Sequence, residues 1–328
     1  MSLKSLAEPN APSFSRRQTQ HGAALLTAML IVVLVTTLAS AMVWQQWRAV
    51  QVEAAERART QAAWILSGAL DWARLILRED ARSGGATTLN EPWATPLAEA
   101  RLSSFLAVDK NNTDDGPEAF LSGSIADAQA RYNLRNLIDD SGQVIAVEAA
   151  GLQRLFDSVG VSPDLATRVT TGLRGALAPV GTEGRPTSPP LMPRNVWQLA
   201  WLGVDAASLR RLAPYVVILP VRTPVNLNTA SREVIAASVE GLDVGAAERL
   251  VQLRKRTPFT TVAEAQAALP PNLTLESTRV GVLSNFFEVR GRVRLGDRAL
   301  EELSLVERRG LDIVPLQRQR FSLQDTAG

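Results

Sequence analysis

The side chains that most often carry catalysis and metal binding are scarce in this chain. Cysteine is absent, and the single histidine, His21, precedes a long apolar run. Without cysteine there is no thiol nucleophile, disulfide or cysteine-based metal site. A Ser-His-Asp triad and a histidine-rich metal site are likewise excluded from the rest of the chain. Catalysis by carboxylates stays formally possible, but the composition predicts a protein that is not an enzyme.

One short stretch is rich in the oxygen ligands that hard cations prefer. Residues 109–116 have the sequence Asp-Lys-Asn-Asn-Thr-Asp-Asp-Gly. Carboxylate and amide oxygens bind Ca²⁺, but the spacing here differs from that of an EF-hand loop. Asn, Asp and Gly are also the usual residues of tight turns. We therefore expect no cofactor, and calcium at this stretch remains the one alternative.

A second stretch, residues 225–270, combines helix caps, a glycine-bounded turn and cations. Asn228 and the three residues after it are N-cap candidates for a first helix. Gly241 and Gly245 bound a tight turn into a second helix, and a third begins near Thr257. This arrangement resembles the helix-hairpin-helix module, in which hairpin N–H groups contact DNA phosphates. The cations that would support such contacts are Arg249, Arg254, Lys255 and Arg256.

The same segment also fits a purely structural role. Four acidic residues lie among its cations: Glu233, Glu240, Asp243 and Glu248. The net charge of the whole chain is only +2, and it contains no long basic run. We therefore expect no nucleic-acid partner, and we interpret the segment as a compact packing unit whose glycines permit the turn.

The elements that position these residues begin with a helix of membrane length. Residues 23–43 carry no charge. At about 1.5 Å per residue, this run is long enough to cross the ~30 Å hydrocarbon core of a bilayer. Arg16 and Arg17 precede the run, which favours a cytoplasmic N-terminus and a body on the opposite side of the membrane.

The helical pattern continues beyond the apolar run without a breaker. Apolar residues recur at spacings of three and four as far as Ile76, and no proline occurs between Ala23 and Asp80. A single helix over residues 23–80 is the simplest prediction. Two helices joined near Gln51 are the alternative.

Alternation and spacing organise the remainder into a sheet and a helical region. Strands are predicted at residues 119–125, 130–137, 285–294, 299–307 and 311–317. Helices are predicted within residues 143–177 and 197–212. A loop with a short helix is predicted at residues 91–107, and a loop at residues 181–193. We therefore expect an α+β fold. In it, the long N-terminal transmembrane helix packs on a small antiparallel sheet, and an all-α domain containing the helix-hairpin-helix-like unit is inserted.

This pattern divides the chain into four predicted parts. They are a polar leader at 1–22, the long helix at 23–80, an α+β domain formed by 81–143 and 284–328, and an inserted helical domain at 144–283.

The start of the apolar helix resembles that of a type IV prepilin. Gly22 is followed directly by Ala23-Ala-Leu-Leu. The resemblance implies that a prepilin peptidase cuts between Gly22 and Ala23 and that the new Ala23 amine is methylated. Such subunits usually carry Glu five residues after the cut, where this chain has Thr27.

Two other interpretations of the N-terminus stay open. Ala39-Ser-Ala would serve as a secretory cleavage site, although the apolar run exceeds the usual 7–15 residues of a signal peptide. An uncleaved membrane anchor is the second.

The order of motifs along the chain resembles one family, the type II secretion minor pseudopilin K (general secretion pathway protein K). A first motif comprises Asp127, Arg131, Asn133, Leu134, Asn136 and Leu137, and a second comprises Asn226, Asn228, Thr229 and Ala230. Phe286-Phe287 begins the closing strands, and Thr27 in place of Glu also fits this member. Relatives carry an acidic calcium-binding stretch, whereas residues 170–190 here contain only Glu183. A family-type calcium site is therefore not expected.

The resemblance implies a non-enzymatic subunit at the tip of a periplasmic pseudopilus, anchored in a Gram-negative inner membrane. Its implied partners are the I-type and J-type minor pseudopilins, the major pseudopilin and the prepilin peptidase. The alternative is a membrane-anchored, competence-type DNA receptor, which also joins a membrane helix to a helix-hairpin-helix. The five strands and the very long helix favour the first.

Overall fold

The computed structural model describes residues 21–102, 119–177, 190–296 and 298–324. The predicted leader up to residue 20, the candidate calcium stretch at 109–116 and most of the predicted loop at 181–193 lie outside the described residues. The chain forms two compact units, Met1–Arg59 and Thr60–Gly328.

One continuous helix, α1 (His21–Ser83), belongs to both units. Its part in the first unit exposes its apolar side chains, among them Leu26 and Leu30. The helix is long and apolar enough to cross a membrane. It passes through Gln51 without a break, so the two-helix alternative is wrong. Residues 23–59 contain neither proline nor glycine, so nothing in the sequence interrupts the backbone hydrogen bonds there.

In the second unit, the end of α1 packs on a sheet. Leu66, Leu70 and Leu77 are buried there, because spacings of four and seven place them on one face of the helix. Leu70 and Leu77 share a cluster with Phe287 and Val306 of the sheet. This apolar contact holds α1 against the strands.

Five antiparallel strands form the sheet. Their bounds are β1 Leu97–Arg101, β2 Ala119–Asp127, β7 Phe286–Leu295, β8 Arg298–Arg309 and β9 Asp312–Gln324, and they lie in the order β1-β2-β7-β8-β9. Gly123 lies opposite Gly291 in the register of β2 and β7. A Cβ at Gly291 would stand 3.0 Å from the Leu66 side chain, so glycine permits the close approach of α1 to the sheet.

The predicted strand at 130–137 is wrong. Short 3-10 helices at Ala128–Ala130 and Leu134–Leu137 flank only two strand residues, β3 (Tyr132–Asn133), which pair in parallel with β4 (Val216–Val217). Most residues of this stretch are buried. The alternation of apolar and polar residues therefore does not correspond to a strand with one buried and one exposed face. The fifth strand of the sheet is instead β1, which lies within residues 91–107, where a loop and a short helix were predicted.

Six α-helices lie between β2 and β7 among the described residues, together with 3-10 helices that include Val196–Leu202. The α-helices are α2 Ala146–Ser158, α3 Pro163–Leu177, α4 Ala206–Leu212, α5 Arg232–Ser238, α6 Val244–Arg256 and α7 Val262–Ala267. The side chains of Ser231, Asp243 and Thr261 cap α5, α6 and α7. A short parallel pair, β5 (Val225–Asn226) with β6 (Val280–Gly281), brackets the last three helices. The expected α+β fold class is confirmed.

Candidate functional site

The predicted processing residues lie in the first turn of α1. Gly22 and Ala23 are helical. The Thr27 hydroxyl donates to the Ala23 carbonyl over 2.8 Å and lies 3.0 Å from the Ala24 carbonyl. Its polar group is therefore satisfied within its own helix, which makes Thr27 compatible with an apolar run. Cleavage and methylation here remain predictions.

Two sequence motifs meet at the buried carboxylate of Asp127. Its Oδ2 accepts hydrogen bonds from Asn226 Nδ2 (2.9 Å), Thr229 Oγ1 (2.6 Å) and Ser284 Oγ (2.7 Å). Its Oδ1 accepts one from the Gln129 backbone N–H (2.8 Å). Burial raises the pKa of the Asp127 carboxyl, and these donors oppose the shift. Asp127 and Asn226 are 99 residues apart, so their contact joins remote parts of the chain.

A guanidinium extends this network to the end of α1. Arg308 donates to Asp80 Oδ2 (2.7 Å), to Thr87 Oγ1 (3.0 Å) and to the Ser284 carbonyl (2.5 Å). The Thr87 carbonyl accepts from Asn226 Nδ2 over 3.1 Å. We call this set the polar junction. Its members are Asp80, Thr87, Asp127, Asn226, Thr229, Ser284 and Arg308.

The asparagines of the motifs bind backbone groups of distant loops. Asn136 donates to the Thr223 carbonyl (2.8 Å) and accepts from its N–H (3.0 Å). Asn228 makes the same pair of bonds with Phe259, both at 2.9 Å. Asn133 donates to the Val221 carbonyl (2.8 Å) and accepts from the Leu219 N–H (3.1 Å). These side-chain amides supply the hydrogen-bond partners that a neighbouring strand would otherwise have supplied to the backbone of the loops.

A second buried polar group lies beside the first motif. The Tyr132 hydroxyl donates to Glu148 Oε2 (2.5 Å), and Arg279 Nε donates to Glu148 Oε1 (2.9 Å). Burial, followed by the charge of Glu148, raises the pKa of Tyr132 well above its ordinary value. Glu148 thus joins the Tyr132 hydroxyl to Arg279 Nε inside the core, whereas Arg279 Nη2 is buried without a hydrogen-bond partner.

The helix-hairpin-helix-like unit comprises α5, α6 and their connection. Gly241 there has φ of 76°, a left-handed conformation that favours glycine. Arg254 does not contribute to a cationic surface. It is buried and donates to the Leu227 carbonyl, and desolvation lowers its pKa to about 10. The exposed cations of α6 are Arg249, Lys255 and Arg256.

Sequence reasoning identified Asp127, Asn226 and Thr229 but missed the other members, Asp80, Thr87, Ser284 and Arg308. Small hydroxyl residues carry no local signal for a remote partner. Arg308 did carry a signal in the sequence, because it continues the alternating positions of β8 whose side chains face inward. The earlier positions in this series are Leu300, Glu302, Ser304 and Val306. Within the described residues, no cluster of three or more His, Asp or Glu side chains is arranged to hold a metal ion.

The fold and the junction define a class of protein. A helix that can cross a membrane ends in a segment, from Thr60 to Ser83, that packs on an antiparallel sheet. The polar junction ties a helical insertion to the same sheet. This is the architecture of a pilin-like subunit whose helix is long and apolar enough to cross a membrane.

Comparison with known proteins identifies the family. Family models described as type II secretion system (T2SS), protein K match residues 130–221 and 225–282. The type II secretion system protein K of Pseudomonas aeruginosa is 30% identical over 318 residues, covering 89% of this chain and 90% of that protein. The protein K of Klebsiella pneumoniae is 30% identical over 328 residues, covering 92% and 96%. The chain belongs to the type II secretion system protein K family.

A solved structure agrees with this fold. The GspK-GspI-GspJ complex from enterotoxigenic Escherichia coli contains a chain that superposes with a TM-score of 0.63 at 20% identity. The match covers 81% of this chain and 98% of that one. The family resemblance is thus confirmed, and the DNA-receptor alternative is not favoured.

Proposed function

We propose that this chain is a minor pseudopilin that occupies the tip of the pseudopilus, where it initiates or caps assembly for export of folded proteins. Its role is structural, not enzymatic. The observation that carries the proposal is the polar junction. Asp80 lies near the C-terminal end of α1, and the junction attaches the helical insertion there. The insertion therefore adds bulk at that end of the helix and sheet.

This placement supports a terminal position on steric grounds. Pilin-like subunits stack along their helices, and the insertion obstructs a further subunit at the end of the body that it occupies. Membership in the protein K family is consistent with a role in the same secretion machinery.

Thr27 supports the same position on electrostatic grounds. In a pilin-like filament the N-terminal amine of one helix lies in apolar surroundings, where an unpaired charge is costly. A Glu on a neighbouring helix neutralises that amine. A subunit with no subunit above it receives no such amine, so Thr27 carries no penalty at the tip.

The proposal extends to processing, location and partners. Prepilin peptidase cleaves between Gly22 and Ala23, Ala23 is methylated, and the single helix anchors the protein in the Gram-negative inner membrane with its body in the periplasm. Partners are the I-type and J-type minor pseudopilins and the major pseudopilin. The likeness to a chain of the GspK-GspI-GspJ complex supports the first two. The predicted domain bounds belong to this proposal, with residues 144–283 as the capping insertion.

Immunogold electron microscopy of pseudopili tests the position. We expect gold against this protein at one end of each fibre, with gold against the major pseudopilin along the shaft as the control. Label from this protein spread along the shaft would overturn the tip assignment.

A further inference from the structure

The five-stranded sheet has two very different edges. At one edge, β1 has five residues and an irregular register with β2, two features that limit pairing with another chain. At the other edge, β9 has 13 residues. It pairs with β8 on one side, and within the described ranges no strand pairs with its other side. A long edge strand of this kind is a template for strand addition.

The register shows which backbone groups of β9 point outward. The Arg308 N–H donates to the Asn285 carbonyl over 2.6 Å, so every second residue of β8 from Arg308 directs its backbone towards β7. The intervening residues of β8 direct their backbone towards β9, where they form the pairs Leu305↔Gln317, Leu303↔Gln319, Glu301↔Phe321 and Ala299↔Leu323. The residues between these partners in β9 direct their N–H and C=O groups away from the sheet. They are Arg318, Arg320 and Ser322.

The beginning of β9 is closed to such pairing. Arg74 of α1 donates from Nε to the Ile313 carbonyl over 2.8 Å. Pro315 has no N–H to offer. The open part of the edge is therefore the segment from Arg318 to Ser322, which supplies N–H and C=O groups at three alternate positions.

The two faces of this open edge differ in chemistry. Arg318 and Arg320 lie opposite Ser304 and Glu302 in the register, on the face towards α1. Arg320 donates to Glu302 over 2.6 Å, and Arg318 is exposed.

On the other face, Phe321 borders a groove of about 390 Å³ that Trp197 also lines. Phe321 is 43% exposed and Trp197 is 54% exposed. A strand added to β9 would cover these two aromatic rings.

We propose that β9 is a strand-addition site for an extended, acidic segment of another minor pseudopilin. The segment pairs with the backbone of residues 318–322, places carboxylates beside Arg318 and Arg320, and places apolar side chains over Phe321 and Trp197. A second copy of this chain is the wrong occupant, because antiparallel pairing of two β9 strands brings like charges together. The choice of a minor pseudopilin rests on the proposed function.

Hydrogen exchange of backbone amides tests the register of the added strand. The full chain in detergent is compared with its complex with co-expressed I-type and J-type minor pseudopilins of the same organism. We expect the amides of Arg318, Arg320 and Ser322 to exchange at least about tenfold more slowly in the complex. The amides of Gln317, Gln319 and Phe321 already bond to β8, so they serve as internal references that change less.

A matched pair of variants tests the backbone bond itself. Ser322→Pro removes an outward N–H, whereas Ser322→Ala keeps it. We expect Ser322→Pro to weaken the complex about tenfold and Ser322→Ala to leave its Kd within about twofold. The thermal midpoint of the isolated Ser322→Pro chain should stay unchanged, because that N–H points away from β8. Arg318→Glu should also weaken the complex, since it opposes the acidic strand.

The outcomes separate this inference from the proposed function. Failure to form any complex overturns both. A complex in which the outward β9 amides stay unprotected, or in which Ser322→Pro binds as tightly as Ser322→Ala, overturns the strand-addition site alone. Protection of these amides in the isolated chain at high concentration would identify a second copy as the occupant and overturn the choice of partner. Tighter binding by Arg318→Glu would show that the added strand is basic and overturn its acidic character.

Discussion

Single side chains in this protein replace backbone partners that regular structure does not supply. Asn133, Asn136 and Asn228 each pair both a carbonyl and an N–H of a distant loop. An unpaired buried backbone group costs about 1–3 kcal/mol, so each amide holds its loop in one conformation. Asp127 differs from them, because four donors surround a carboxylate that burial makes costly to ionise.

Removing the Asp127 carboxylate should leave several donors unpaired. We expect Asp127→Ala to lower the free energy of unfolding of the full chain in detergent by about 3 kcal/mol. Urea unfolding followed by tryptophan fluorescence measures the change. Asp157→Ala, on the exposed side of α2, is the control and should stay within about 0.5 kcal/mol.

The titration of Asp127 gives this residue a distinctive pH dependence. Because its folded pKa lies above the unfolded value of about 3.9, the folded state binds the proton more tightly, and its contribution to stability increases as the pH falls between the two values. Asp127→Asn abolishes this titration. The unfolding free energy of the wild type minus that of Asp127→Asn should therefore rise from about pH 7 towards about pH 4. A difference that stays flat or falls would contradict a raised pKa.

Among the secondary-structure elements, α6 shows how one helix divides its cations between packing and surface. Arg254 is 9% exposed and holds the Leu227 carbonyl, whereas Lys255 and Arg256 face solvent. In the sequence all three form one basic cluster. Position around the helix, and not charge, separates their roles.

A comparison within α6 tests this separation. Arg254→Ala should lower the free energy of unfolding by about 2 kcal/mol, because it leaves a buried carbonyl unpaired and opens a cavity. The double change Lys255→Ala with Arg256→Ala should cost no more than about 0.5 kcal/mol. Chemical denaturation of both variants provides the measurement. Equal losses in the two variants would show that Arg254 acts as a surface charge.

For the whole molecule, the two compact units have different physical requirements. The large apolar side chains of α1 before Arg59 are exposed, and an exposed apolar surface of this extent is typical of a membrane or protein contact. The second unit has apolar cores of its own, formed by its sheet and helices. One continuous helix thus combines a segment that is apolar enough to cross a membrane with a later segment that belongs to a core.

The mature N-terminus provides a test of how the whole chain enters the membrane. Mass spectrometry of the membrane-extracted protein should show a chain that begins at Ala23 and carries one added methyl group. Gly22→Phe should leave the precursor uncut and membrane-bound. A mature chain that begins at Met42 would instead identify Ala39-Ser-Ala as a secretory cleavage site and would contradict the pilin assignment.

Local periodicity by itself determined much of this architecture. The apolar run of α1, the cap of α5, and the alternation in β2, β7, β8 and β9 depend on neighbours within a few residues. Such patterns are complete in the sequence, because a helix or strand repeats its buried positions every three to four or every two residues. The family motifs were likewise visible as residues in a fixed order.

Contacts between remote segments were decided by the tertiary structure alone. The alternation at 130–137 predicted a strand, yet burial on all sides made that stretch a pair of short 3-10 helices around β3, and β1 took the place in the sheet. Ser284 and Thr87 became part of the polar junction only because the fold brought them to Asp127 and Arg308, 157 residues away in the case of Ser284 and Asp127. No local pattern reports such a partner, since a hydroxyl has the same sequence neighbours whether it faces water or a buried carboxylate.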